Sequence, residues 1–142
     1  MATIIEFDDG SISSFEWKGE INKNTSINAG IRTQYSWSKK PVAVKIGSSV
    51  TSLGINAFSG CTELTNIIIP TSVSSIGNAA LNACSKLTNI IIPNSVVTVG
   101  DSICSQCTNL KKIIYPTSLT SAGQSDFCGC DNLEEIFVEG KT

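Results

Sequence analysis

Four stretches of 23 residues follow one another without an insertion: SSVTSLGINAFSGCTELTNIIIP at 48–70, TSVSSIGNAALNACSKLTNIIIP at 71–93, NSVVTVGDSICSQCTNLKKIIYP at 94–116 and TSLTSAGQSDFCGCDNLEEIFVE at 117–139. The first two copies are identical at 13 of 23 positions. Gly54, Gly77, Gly100 and Gly123 share a column, as do Cys61, Cys84, Cys107 and Cys130, and Leu64, Leu87, Leu110 and Leu133. A unit this short buries about seven side chains at roughly 1.5–3 kcal/mol each, against an ordering cost of roughly 1.5 kcal/mol per residue. It cannot fold alone, so successive units must stack into one continuous core.

The apolar pattern inside a copy says how it stacks. Leu64-x-x-Ile67-x-Ile69 ends with the period of a short strand, and Pro70, which cannot donate to a ladder, closes it. Val73 and Ile76 form a second extended piece that stops at Gly77, where a positive φ is cheap. Ala80 and Leu81 up to Cys84 fit about one helical turn. With Leu64, Ile67 and Ile69 inward, Ile68 must point out, and its equivalents are Lys45, Ile91, Ile114 and Phe137. If the strands pair in parallel, these side chains stand about 4.8 Å apart. Beside them lie Thr65, Thr88, Lys111 and Glu134, then Asn66, Asn89, Lys112 and Glu135. An apolar stripe with a polar rim is the anatomy of an interface. The competing reading is that a terminal segment covers the stripe, or that isoleucine here reflects strand propensity alone.

The pattern SVTSLGxxAFSGCTELTNIIIP resembles the leucine-rich repeats of the Treponema pallidum type, the BspA-like class. The resemblance covers about residues 42 to 139, with Val44-Lys45-Ile46 in the strand columns of an incomplete first copy. It implies an α/β, right-handed leucine-rich-repeat solenoid with short parallel strands and about four turns. It also implies a secreted or cell-surface protein that mediates attachment and protein binding. The copies depart from the pattern where Leu81, Cys104 and Phe127 share the Phe58 column, and where Ala122 and Asp126 replace Ile76 and Ala80. The last copy therefore reads as a fraying or capping turn.

The first 40 residues lie outside the repeat and hold five of the nine aromatics: Phe7, Phe15, Trp17, Tyr35 and Trp37. Thr3–Phe7 and Ser11–Trp17 around Asp8-Asp9-Gly10 read as a hairpin. Residues 1–41 are thus expected to be an N-terminal β-hairpin cap and loop, and 42–142 the solenoid, together one domain. An aromatic ligand pocket is the sharper alternative for this segment. Residues 20–30 read as a polar loop.

Composition narrows the chemistry. There is no histidine, which removes Ser-His-Asp and Cys-His catalysis and His-ligated metal. Ten Lys+Arg against twelve Asp+Glu leave no basic excess for nucleic acid. No apolar run approaches the roughly 20 residues of a membrane span, and Glu6, Asp8 and Asp9 rule out a secretory leader within the first ten residues. Asp8-Asp9 and Glu134-Glu135 are adjacent in extended chain, which is wrong for paired-carboxylate catalysis. Cys104-x-x-Cys107 and Cys128-x-Cys130 superficially resemble a four-thiolate zinc site, but the repeat columns explain Cys104, Cys107 and Cys130 as small buried side chains. Hydroxyl ranks such as Thr51, Ser74 and Thr120 hint at ice binding, yet Val97 interrupts them.

The expectation is a protein that is not an enzyme and needs neither cofactor nor metal. It binds a protein partner through Lys45, Thr65, Asn66, Ile68, Thr88, Asn89, Ile91, Lys111, Ile114 and Phe137. The alternative is a structural protein that self-associates through the isoleucine stripe into a homo-oligomer.

Overall fold

Each full repeat enters on a strand of one side, passes through a tight turn segment to a strand of the other side, and ends at its proline, where the chain turns into the next repeat. The computed structural model describes residues 1–120 and 123–138; the Ala122 column position lies outside them. Along the first side run β1 (Thr3–Phe7), β2 (Ile12–Phe15), β4 (Pro41–Lys45), β6 (Asn66–Ile68), β8 (Asn89–Ile91), β10 (Lys112–Tyr115) and β11 (Glu135–Val138). Along the second run β3 (Gly19–Ile21), β5 (Val50–Leu53), β7 (Ser75–Ile76) and β9 (Thr98–Val99), hydrogen-bonded in that order and in parallel. The result is a β-solenoid of about four turns with little helix.

The parallel pairs keep repeat columns opposite one another. Val44 faces Ile67, Lys45 faces Ile68, Ile91 faces Ile114 and Ile114 faces Phe137. The first side nevertheless splits into two ladders, β2-β1-β4-β6 and β8-β10-β11, with β6 and β8 in contact but outside a common ladder. Inward columns are buried as the periodicity requires: Leu64, Val73, Cys84, Leu87 and Leu110 are fully enclosed.

Two local expectations are corrected. The segment from Ala80 to Cys84 is a string of turns, not a helical turn. Alternate N–H groups run along the stack: Asn56 donates to Asn78 O (3.0 Å), Phe58 to Ala80 O (2.8 Å) and Gly60 to Asn82 O (2.8 Å), and the next coil repeats this from Ala79, Leu81 and Ala83, while the N–H groups between them reach back only three residues, as Asn82 does to Ala79 O (3.2 Å). A helix would send these donors to carbonyls four residues earlier. Left-handed residues, among them Asn56, Ala79 and Ala83, set the alternation. The glycine column at 54, 77, 100 and 123 does not sit at the positive φ expected of it. It is required by close approach, since a Cβ on Gly100 would lie 2.9 Å from the carbonyl carbon of Gly77 and 2.7 Å from Asn78 N.

The N-terminal hairpin forms as its Asp-Gly signal demands, Thr3 pairing with Phe15 and Glu6 with Ile12. Asp9 accepts from Ser11 N and Oγ, Gly10 takes φ +84°, and the hairpin joins β4 antiparallel, placing Ile5 and Phe7 in the core. The expected loop at 20–30 contains a short helix, α1 (Lys23–Asn28), started by a reciprocal cap. Asn22 Oδ1 accepts from Asn24 N while Thr25 Oγ1 accepts from Asn22 N. The signal Asn22-x-x-Thr25 was present in the sequence.

Candidate functional site

The strand side of the stack exposes the residues that the alternation points outward. Ile68 is 49% exposed, Ile91 59% and Phe137 45%, with Ile114 half-buried between its neighbours. Lys45, Thr65, Asn66, Thr88, Asn89 and Lys111 are all exposed beside them. Cross-strand partners share a face, so the pairings Ile4–Lys45–Ile68 and Ile91–Ile114–Phe137 make two short rows that meet where β6 passes β8. The rows extend further than the repeat alone indicates, because Ile4 on β1 and Ile12 on β2 lie on the same outward face and are exposed. The alternation in TIIEF marks Ile4 as outward, but only the pairing of β1 with β2 and β4 puts Ile4 and Ile12 on the face of the repeat row. Lys112 Nζ lies 5.7 Å from the Phe137 ring centroid, so its charge shields part of that ring.

The cysteines serve the stack. Cys84 Sγ donates to Phe58 O (3.3 Å), Cys107 to Leu81 O (3.2 Å) and Cys130 to Cys104 O (3.0 Å), each reaching back to the preceding coil. Burial pushes the thiols of Cys104, Cys107 and Cys130 up, and a hydrogen bond with Cys61 together with burial does the same for Cys84. All six are free, and Cys128 alone is exposed. Among the described residues no three His, Cys, Asp or Glu side chains gather as a metal site.

Hydroxyl and amide columns act in the same way. Thr65 Oγ1 donates to Val42 O, Ser74 Oγ to Thr51 O, Thr120 Oγ1 to Val97 O, and Asn109 and Asn132 to Ser85 O and Thr108 O. The Ser, Thr and Asn richness thus ties neighbouring coils together.

At the start of the stack the turn segment of the first coil would lack donors from a preceding coil. Ile55 O accepts from Lys23 N, Ala57 O from Arg32 Nη1, and Ser59 O from both Arg32 Nη2 and Trp37 Nε1. Trp37 stacks on Phe58, and Arg32 lies 4.7 Å from the Trp37 ring centroid. The other aromatics are dispersed: Phe7 is in the core, Phe15 stacks on Trp17, and Tyr35 is 90% exposed. At the far end, a cleft of 760 Å³ is lined by Tyr115, Leu119, Asp126, Phe127 and Val138.

Stacked coils with interchangeable columns define a repeat protein whose accessible face is a strand surface. The family model for the BspA type leucine rich repeat region matches residues 32–142, and the chain belongs to that family. A crystal structure of a T. pallidum leucine-rich repeat protein is 33% identical over 67% of this chain and 44% of its own, with a TM-score of 0.65. A leucine-rich repeat protein from Bacteroides ovatus is 31% identical over 63% of this chain and 25% of that one, at 0.55. A leucine rich cell surface protein from Faecalibacterium prausnitzii shares the fold over 99% of this chain and 38% of that one, with 21% identity and a TM-score of 0.72. The chain spans less than half the length of each of these structures. No curated protein matches it at a significant level.

Proposed function

We propose that this chain is a non-catalytic protein-binding or adhesive module that engages its partner through the strand face, using Lys45, Thr65, Asn66, Ile68, Thr88, Asn89, Ile91, Lys111, Ile114 and Phe137. The observation that carries this reading is the exposure of Ile68, Ile91 and Phe137 along the strand face, among threonine and asparagine columns. Leucine-rich-repeat proteins commonly mediate protein interactions, which supports it. In this reading residues 1–41 close the first coil, and the whole chain works as one domain. The donors supplied by Lys23, Arg32 and Trp37 to the first coil support that division of labour.

The test is a peptide-display selection against the wild-type chain and against Ile91→Lys, whose side chain leaves the core untouched. Ligands enriched on the wild type and lost on Ile91→Lys support the strand face. No enrichment, or enrichment indifferent to the substitution, sinks it. Light scattering on the same two proteins addresses self-association: a wild-type dimer that Ile91→Lys converts to a monomer would make a second copy the partner.

A further inference from the structure

Arg32 is nine-tenths buried, and no carboxylate pairs with it among the described residues. A buried charge is ordinarily paired, because removing it from water without a counter-charge is expensive. Here the guanidinium lies over the Trp37 ring and its hydrogen bonds go to backbone carbonyls: Nη1 donates to Asn56 O (2.6 Å) and Ala57 O (3.3 Å), and Nη2 to Ser59 O (3.1 Å). Of its five N–H groups these bonds occupy three, which leaves Nε–H and one Nη2 hydrogen without a protein acceptor among the described residues. Two free donors on one planar fork are what bidentate recognition of a carboxylate uses.

Arg32 lines a recess of 240 Å³, together with Tyr35, Trp37, Lys40, Ser59 and Thr62. The volume is below that of ordinary drug-sized pockets and suits one terminal group of a ligand. A second cation stands at the recess: the Lys40 side chain forms no ion pair among the described residues, whereas neighbouring Lys39 is held by Asp9. Glu63, the carboxylate next in sequence to Thr62, is engaged by Lys86. Burial lowers the Arg32 pKa, with no carboxylate offsetting it. The recess therefore concentrates positive charge beside aromatic surface and lacks the anion that would balance it.

We propose that the recess bounded by Arg32, Tyr35, Trp37 and Lys40 binds a small carboxylate, presented either by an acidic sugar or by the free end of a peptide. The carboxylate bridges the open Arg32 donors, Lys40 supplies the second charge, and the exposed Tyr35 ring lies against the body of the ligand. This site joins the bridged pair Arg32 and Trp37 to the turn of the first coil, shares no residue with the strand face, and does not depend on the reading given to that face.

The test is an NMR titration of the full 142-residue chain with D-glucuronate, with N-acetylglycine and with glucose as the uncharged control. The readout is the indole N–H of Trp37, assigned by comparison with Trp37→Phe. The expected result is a saturable shift with at least one acid and none with glucose; which acid acts identifies the source of the carboxylate. Lys40→Ala and Tyr35→Ala alter exposed side chains and leave the fold intact, and Lys40→Ala should weaken binding about tenfold. Arg32→Lys, which keeps the charge and loses the fork, should weaken it further. If Arg32→Lys does not fold, Lys40→Ala decides. No saturable shift with either acid, an equal shift with glucose, or undiminished affinity in Lys40→Ala overturns the proposal.

Discussion

Gly100 and Gly60 hold columns that run along the stack for opposite reasons, and substitution separates them. At Gly100 the coil below approaches so closely that a methyl group would meet backbone, with Asn78 N at 2.7 Å. Backbone cannot swing aside as a flexible side chain can, so Gly100→Ala should destabilise the fold by about 1–3 kcal/mol in chemical denaturation. The Gly60 column is set by conformation: Gly60 and Gly129 take φ of +77° and +79°, and Ala83 occupies the same left-handed position at +60°. A side chain there costs roughly 1–2 kcal/mol, partly offset by the entropy a glycine would lose. Ala83→Gly should therefore be neutral or stabilising by up to about 1 kcal/mol; a clear loss would mean that the turn is held differently. The thiols give a further residue-scale contrast. Cys128 is the exposed one, so it should react rapidly with an aromatic disulfide reagent in native buffer. The other five should react at the rate of unfolding.

Among elements, the strands were legible and the connections were not. Ile67 and Ile69 alternate ahead of a non-donating Pro70, which reads as a short strand closed by its proline. The segment after Gly77 carries Ala80, Leu81 and Cys84 at spacings that a helical turn and a stacked turn share. Only the neighbouring coil decides, by accepting N–H groups that a helix would have kept. The last such segment contains Asp126 in the column of Ala80, 6% exposed, with Oδ1 accepting from Ile103 N at 3.3 Å. Burial, the largest influence, raises its pKa above the usual carboxylate value. The folded chain then holds this proton more tightly than the unfolded one. Stability contributed by the protonated form is full below the unfolded value of about 3.9 and declines as pH climbs through the raised folded value. Asp126→Asn keeps the acceptor and removes the titration, so its advantage over wild type should grow between pH 3.5 and pH 7 in urea melts. Parallel pH profiles would show that Asp126 is solvated in the folded chain.

At the scale of the whole molecule, a stack couples each coil chiefly to its neighbours, so position along the axis should decide what a core deletion costs. The outward row was legible because alternation fixes which side chain leaves the core, whatever the coil. Its extension to Ile4 and Ile12 was not, since nothing in the repeat tells that β1 joins β4 antiparallel and continues the same face. The Arg32 recess was equally hidden, because it is made by residues more than twenty positions apart that meet only when the N-terminal segment lies over the first coil. The leucine column tests the coupling directly. Leu87 is fully enclosed between coils, whereas Leu133 in the last described coil is half-buried, and Ile136 beyond it is 54% exposed. Leu87→Ala should cost about 2–5 kcal/mol through lost contact and residual cavity. Leu133→Ala should cost distinctly less, because less apolar surface is withdrawn from water there. Equal losses in denaturant melts would mean that the last coil is covered as fully as the interior, and that the stack behaves as one indivisible unit.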